Sequence, residues 1–167
     1  MKLKFVCATN KNRSVVASKY TQFLLKKEGM QGSIKIESRG LRGKGNLLDR
    51  LFREAAFEAR REAYDFTQAK SLRLTAEDVA GADFLIVPSP KVFEEIKALY
   101  PEANILLLGR FHPDPVKRKD INSSDTDTKE ACTREIKQIE ACVKGLIDLA
   151  LSGKCPGLPG PVYSADV

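Results

Sequence analysis

An α/β fold is what this sequence predicts: a four-stranded parallel sheet with helices on both faces and a phosphate loop after the first strand. Three observations carry that reading. Apolar runs of strand length alternate with stretches whose apolar residues recur every three or four positions, and such alternation implies parallel strands joined by right-handed crossovers. The first apolar run leads straight into Cys7, five further residues, and Arg13-Ser14 at the start of a helical stretch. The chain has 167 residues, 43% hydrophobic and 30% charged, which suits one domain with a sizeable core.

Taken in order, Lys2 to Val6 reads as the first strand, central and buried. Arg13 to Gly29 reads as the first helix, with Val16, Tyr20, Phe23 and Leu24 at helical spacing, Lys26 and Lys27 suiting its C-terminal dipole and Gly29 as its stop. Ser33 to Ser38 alternates as a second strand, and Arg39 to Gly45 reads as a Gly- and cation-rich loop. Asn46 to Tyr64 carries the stripe Leu47, Leu48, Leu51, Phe52, Ala55, Ala59 and Ala63 of a second helix. Thr75 to Val79 reads as a short helix opened by Thr75 with Asp78 three residues on, a capping-box variant.

Asp83 to Val87 is the third strand, buried on both faces. Ser89 is placed to cap the next helix with Pro90 at its first position, and that helix runs to Tyr100, burying Val92, Phe93, Ile96 and Leu99. Asn104 to Leu108 is the fourth strand. Gly109 to Asp127 is a polar loop long enough to suggest function or motion, and His112 in it reads as exposed. Lys129 to Leu151 is the last helix, with a stripe of Cys132, Ile136, Ile139, Val143, Leu146, Ile147 and Ala150; Cys132 and Cys142 read as core thiols. Residues 1–152 thus form one domain, followed by a Gly/Pro-rich tail, 153–167, that includes Cys155.

The spacing after the first strand carries chemistry. A loop turning from strand to helix directs backbone N–H groups inward, and the orphan N–H groups of the helix start join them at the positive end of its dipole. The backbone of Ala8, Thr9, Asn10, Lys11, Asn12 and Arg13 would then cradle an oxyanion, and the Arg13 fork suits two phosphate oxygens. The same groups favour a thiolate at Cys7, which can attack phosphorus and carry the phosphoryl group covalently. Ser14 can hydrogen-bond that sulfur, and Asn10, tolerant of left-handed backbone, can brace the loop. The loop lies at the carboxyl end of a central strand, where open sheets bind ligands.

Phe5-Val6-Cys7-Ala8-Thr9-Asn10-Lys11-Asn12-Arg13-Ser14 resembles the phosphate loop of low-molecular-weight protein tyrosine phosphatases. It is also similar to the loop of Ssu72-type phosphatases, which Asn12 matches more closely; the second loop cysteine frequent in the low-molecular-weight enzymes is missing. The resemblance implies a phosphomonoester hydrolase acting on phosphotyrosine through a phosphocysteine intermediate; because this chain lacks the aromatics that would stack on a phosphotyrosine ring, phosphoserine/threonine or a small phosphorylated molecule stays open as substrate. No metal and no cofactor are expected, because Arg13 and the loop N–H groups can hold the phosphoryl charge. The resemblance places an aromatic in the 39–45 loop, where this chain has Arg42 and Lys44, and a second aromatic after the acid, which is also absent.

Expulsion of an alkoxide or phenoxide calls for an acid. The resemblance puts its Asp at Ser123, with Ser124 at a proline position. Asp125 is the preferred substitute, then Asp127; Asp120 fits the segment leading in to the acid, and Asp114-Pro115 lies too early in the loop. Two alternatives stand beside the phosphatase: a phosphate-binding pseudophosphatase that has lost the acid, and an arsenate reductase-like enzyme, which would need resolving cysteines near the loop. A net charge of +6 favours anionic partners, here a phosphorylated protein or small phosphomonoester. Nucleic acid is not expected, since no aromatic-interleaved basic stripe accompanies the charge. Four cysteines without metal-ligand spacing and a single histidine argue against a metal site. No apolar run reaches membrane length and no signal-peptide core opens the chain, so no membrane partner and a reducing, cytoplasmic setting are expected.

Overall fold

The central strands are short and largely apolar, as a sheet covered on both faces requires. The computed structural model describes residues 1–42, 49–121 and 128–152. Its strands β1 (Lys2–Cys7), β2 (Lys35–Gly40), β3 (Phe84–Val87) and β4 (Ile105–Leu107) form one parallel sheet in the order β2-β1-β3-β4. Among the described residues five α-helices connect and cover them: α1 (Arg13–Lys27), α2 (Arg50–Arg60), α3 (Ala76–Ala80), α4 (Pro90–Leu99) and α5 (Lys129–Leu151). This is the α/β architecture expected from the alternation of patterns.

Side chains alternate along each strand and divide the interior in two. Leu3 and Phe5 of β1, Ile86 of β3 and Leu106 at β4 pack with Val16 and Tyr20 of α1, Phe52 of α2 and Ile136, Ile139 and Leu146 of α5. On the opposite face Val6, Leu85, Val87, Ile105 and Leu107 pack on Val92, Phe93 and Ile96 of α4. Charged side chains also stand on that second face, Lys4 of β1 beside Glu37 and Arg39 of β2. Lys4 is 7% exposed, with Nζ 2.6 Å from Asp78 Oδ1 and 2.7 Å from Glu37 Oε2. Arg39 Nε completes the cluster 2.8 Å from Asp78 Oδ2. Burial opposes the charge on Asp78, but hydrogen bonds from Arg39 and Lys4 outweigh it and hold the carboxyl down at about 2.

Several expectations shift. β2 starts and ends two residues later than its alternation suggests. Val6 and Cys7 pair with Arg39 and Gly40, so Arg39-Gly40 is strand rather than loop. Gly40 also donates to Leu72 O and accepts from Leu74 N, so tertiary bonds set this end. The second helix begins by Arg50 and gives way at Arg61–Ala63 to a 3₁₀ turn before Tyr64; Asn46, Leu47 and Leu48 lie outside the described residues. Leu99 is not buried but 65% exposed. The apolar face of α4 runs Val92, Ile96, Tyr100, four residues apart, and Tyr100 takes the place against the core. Ser89 is the N-cap of α4 by position, without a side-chain capping bond, whereas Thr75 and Asp78 form the reciprocal capping box of α3. α5 has its expected bounds.

His112 is 9% exposed rather than a solvent-facing loop residue. Its Nδ1 accepts the Asp114 N–H at 3.1 Å, and the preceding 3₁₀ turn, Leu108–Phe111, lies against α5. That contact is so close that a Cβ on Gly145 would collide with the Phe111 carbonyl. The expected tail, 153–167, lies outside the described residues.

Candidate active site

β1 delivers Cys7 to the carboxyl edge of the sheet, second from one side, and the chain turns at once into α1. Two backbone bonds fasten the start of the loop to the chain beyond β2: Leu41 N donates to Cys7 O at 3.0 Å and Arg42 N to Ala8 O at 2.8 Å. Asn10 makes the turn with φ +53°, the left-handed region that asparagine tolerates better than most residues. Gly40, opposite Cys7 in the register, is pressed against the loop. A Cβ there would stand 2.5 Å from both Asn10 N and Thr9 C. Only a residue without a side chain allows this approach.

The side chains of the loop form a connected set. Cys7 Sγ lies 3.0 Å from Ser14 Oγ, and Ser14 Oγ donates to Asn10 Oδ1 at 2.9 Å. Asn10 is 1% exposed; its Nδ2 donates to Ser38 O at 3.4 Å and to Lys70 O at 3.3 Å. Ser71 Oγ donates to Thr9 O at 2.6 Å. Ser14 has one hydroxyl proton. When sulfur is protonated, S–H can donate to Ser14 while Ser14 donates to Asn10. When sulfur is an anion, the hydroxyl can turn to it instead. The triad therefore serves both states of Cys7 without moving a heavy atom.

Arg13 opens α1, whose first turn holds no acidic residue, so nothing there neutralises the positive helix end. Its guanidinium is anchored from far along the chain. Nη1 donates to Ile121 O at 2.9 Å, and Nε lies 3.8 Å from Glu135 Oε1 on α5. Its Nη2 has no partner among the described residues. Asn12, just before α1, accepts from Asp49 N at 3.2 Å and ties the loop to the start of α2. Lys11 stands between these residues, partly exposed.

The remaining candidates divide. Asp120 is exposed. Asp125 and Asp127 lie outside the described residues, as does Lys44. Arg42 is turned to the surface, its Nη1 2.8 Å from Glu95 Oε2. Cys132 and Cys142 are fully buried in α5. Burial pushes the Cys142 thiol up to about 12 and, with the nearby carboxylates of Glu135 and Asp49, raises that of Cys132. Buried, hard-to-ionise thiols are poor partners for the relay an arsenate reductase needs; Cys155 lies outside the described residues. Among the described residues no group of His, Cys, Asp and Glu side chains could hold a metal ion. Glu135 is the residue that the sequence reading passed over. Its signal was there: it sits three residues after Cys132 and four before Ile139, on the buried stripe of α5.

A model of the low molecular weight phosphotyrosine protein phosphatase family matches residues 2–153. Among curated proteins none matches this sequence. Solved structures share the fold. A protein tyrosine phosphatase from Entamoeba histolytica superposes with a TM-score of 0.77 at 19% identity, covering 92% of this chain and 99% of the other. Wzb of Vibrio vulnificus, in complex with benzylphosphonate, gives 0.73 at 21% identity over 88% and 97%. A YwlE mutant from Bacillus subtilis gives 0.76 at 17% identity over 90% and 99%; a second structure, of YwlE described as an arginine phosphatase, is of a mutant with a phosphorylated active-site serine.

Proposed function

The chain belongs to the low molecular weight phosphotyrosine protein phosphatase family, and on that premise we propose that it hydrolyses phosphomonoesters through a phosphocysteine formed on Cys7. The sulfur attacks phosphorus in line with the ester bond; the leaving oxygen departs with a proton, and water then releases phosphate from Cys7. Arg13 and the N–H groups of Ala8 to Arg13 bind the phosphoryl oxygens, where charge must be held through both steps. Ser14 steadies the sulfur as it arrives and as it leaves, and Asn10 holds Ser14. The leaving-group proton is assigned to Asp125 on the sequence argument alone. The substrate is a phosphorylated protein, on tyrosine or on serine/threonine.

The observation that carries the reading is the hydrogen-bonded set Cys7–Ser14–Asn10, with sulfur 3.0 Å from a hydroxyl, at the N-terminus of a helix that opens with Arg13. A buried structural cysteine would need neither the bridged serine nor the left-handed asparagine. The test is steady-state hydrolysis of p-nitrophenyl phosphate and of phosphotyrosine and phosphoserine peptides. Cys7→Ser should show no turnover above background while still binding an oxyanion. Turnover by Cys7→Ser within tenfold of the parent enzyme would remove the phosphocysteine.

A further inference from the structure

Glu135 is a carboxylate where helical spacing calls for an apolar residue. It is 6% exposed, on the same face of α5 as Cys132 and Ile139, both wholly buried. Oε1 is 3.8 Å from Arg13 Nε, within ion-pair range but too long for a hydrogen bond. Oε2 is buried and meets no hydrogen-bond partner among the described residues. A carboxylate without a donor is strongly disfavoured away from water. Burial accordingly pushes the Glu135 carboxyl up to about 7, although Arg13 pulls the other way.

The charges facing it are few. From α1 it meets Arg13. On its own helix Cys132, one turn back, has its thiol raised by burial and by Glu135 and Asp49, the last standing just before α2. Arg60 of α2 is engaged with Glu140. Against α5 from the 3₁₀ turn, Arg110 is exposed and His112 is committed to the backbone of Asp114. One guanidinium thus supplies the only opposing charge that acts on Glu135 among the described residues.

We infer that Glu135 is a positioning residue for the anion site, and that oxyanion binding to Arg13 draws one proton from solvent onto its carboxylate. The inference rests on the reading of Arg13 as the oxyanion ligand. Arg13 is shared between Glu135 and the Ile121 carbonyl. These two hold Nε and Nη1 and fix the guanidinium plane from behind. A dianion arriving on the other side claims the same positive charge. Glu135 is then left beside a net negative centre without a donor, and the proton relieves it. Neutral Glu135 still fills its place, so Arg13 keeps its orientation while its charge is given over to the ligand.

The probe is sulfate, which stays a dianion from pH 6 to pH 8. Titration calorimetry on the full chain in buffers of different ionisation heat reads affinity and proton uptake together. Cys7→Ser is the parent here, which takes the thiol's own proton out of the count. In that protein sulfate affinity should fall about tenfold from pH 6 to pH 8, with close to one proton taken up per sulfate at pH 8, as linkage to a group near pH 7 requires. In Cys7→Ser with Glu135→Gln, the slope and the uptake should both disappear. Glu135→Met should give the same flat profile, should the amide not be accommodated. An unchanged slope and proton count in both double variants would overturn the inference and leave the anion site standing. Sulfate failing to bind the Cys7→Ser parent at any pH would overturn the anion site, and the inference with it.

Discussion

Gly40→Ala should disable the site while leaving the fold. The new methyl would stand 2.5 Å from Asn10 N and Thr9 C, which are backbone atoms of the loop after Cys7 and not flexible side-chain ends. Carbon atoms rest about 3.5–4.0 Å from their neighbours, so loop or strand must withdraw by about 1 Å. The strand has little freedom, because Gly40 is paired with Cys7 and bonded to Leu72 and Leu74. The loop therefore moves, and Asn10, which orients Ser14, moves with it. A misplacement of about 1 Å at reacting groups costs about 100-fold in rate, equivalent to about 2.7 kcal/mol of barrier. Overpacking should cost about 1–3 kcal/mol of stability in addition. The assay is kcat/KM on p-nitrophenyl phosphate at a temperature where circular dichroism shows the variant folded, with sulfate affinity alongside. A folded Gly40→Ala protein within threefold of the parent would refute the reasoning, since the loop would then tolerate the displacement.

Gly145→Ala sets two effects against each other. Helix propensity alone would gain about 1 kcal/mol inside α5, but the methyl meets the Phe111 carbonyl, so a net loss of about 2 kcal/mol is expected in denaturant unfolding; a rise in stability would show that the turn yields freely. Asp78→Asn strips Lys4 and Arg39 of their shared carboxylate and should cost about 3 kcal/mol at pH 7. The folded-state pKa of Asp78 lies near 2, below its unfolded value. Its contribution is therefore present above about pH 4 and lost as pH falls through 4 toward 2. Acid unfolding followed by circular dichroism should find the parent's advantage over Asp78→Asn shrinking in that window, and a constant gap would contradict the assignment.

Where local pattern decides structure, the sequence was readable. α5 has the bounds its stripe implies, because 23 residues of amphipathic helix leave little choice. Cys7, Asn10 and Ser14 fall within eight residues and their contacts follow from strand, turn and helix geometry. Where distant chain decides, it was not. The end of β2 depends on Leu72 and Leu74, and the orientation of Arg13 depends on a carbonyl 108 residues away. Glu135 and Lys4 broke the apolar pattern of their elements, and each breach marked a buried charge whose partner no local period could name. Leu99 failed for a simpler cause: at the last turn of α4, Ile96 is followed on the same face by Tyr100.

Lys4 stands directly opposite Glu37 in the pairing of β1 with β2. If β2 slipped two residues along its neighbour, every side chain would still face the same way, and in one direction Ile34 and Ile36 would come opposite Leu3 and Phe5. The slip would, however, bring Lys35 or Arg39 opposite Lys4, cation against cation, in a place water barely reaches. The buried lysine thus works as a key that admits one alignment of the two strands. That alignment is also the one that keeps Gly40 level with Cys7, so the seat of the Cys7 thiol is set by a charge three residues upstream that never touches it.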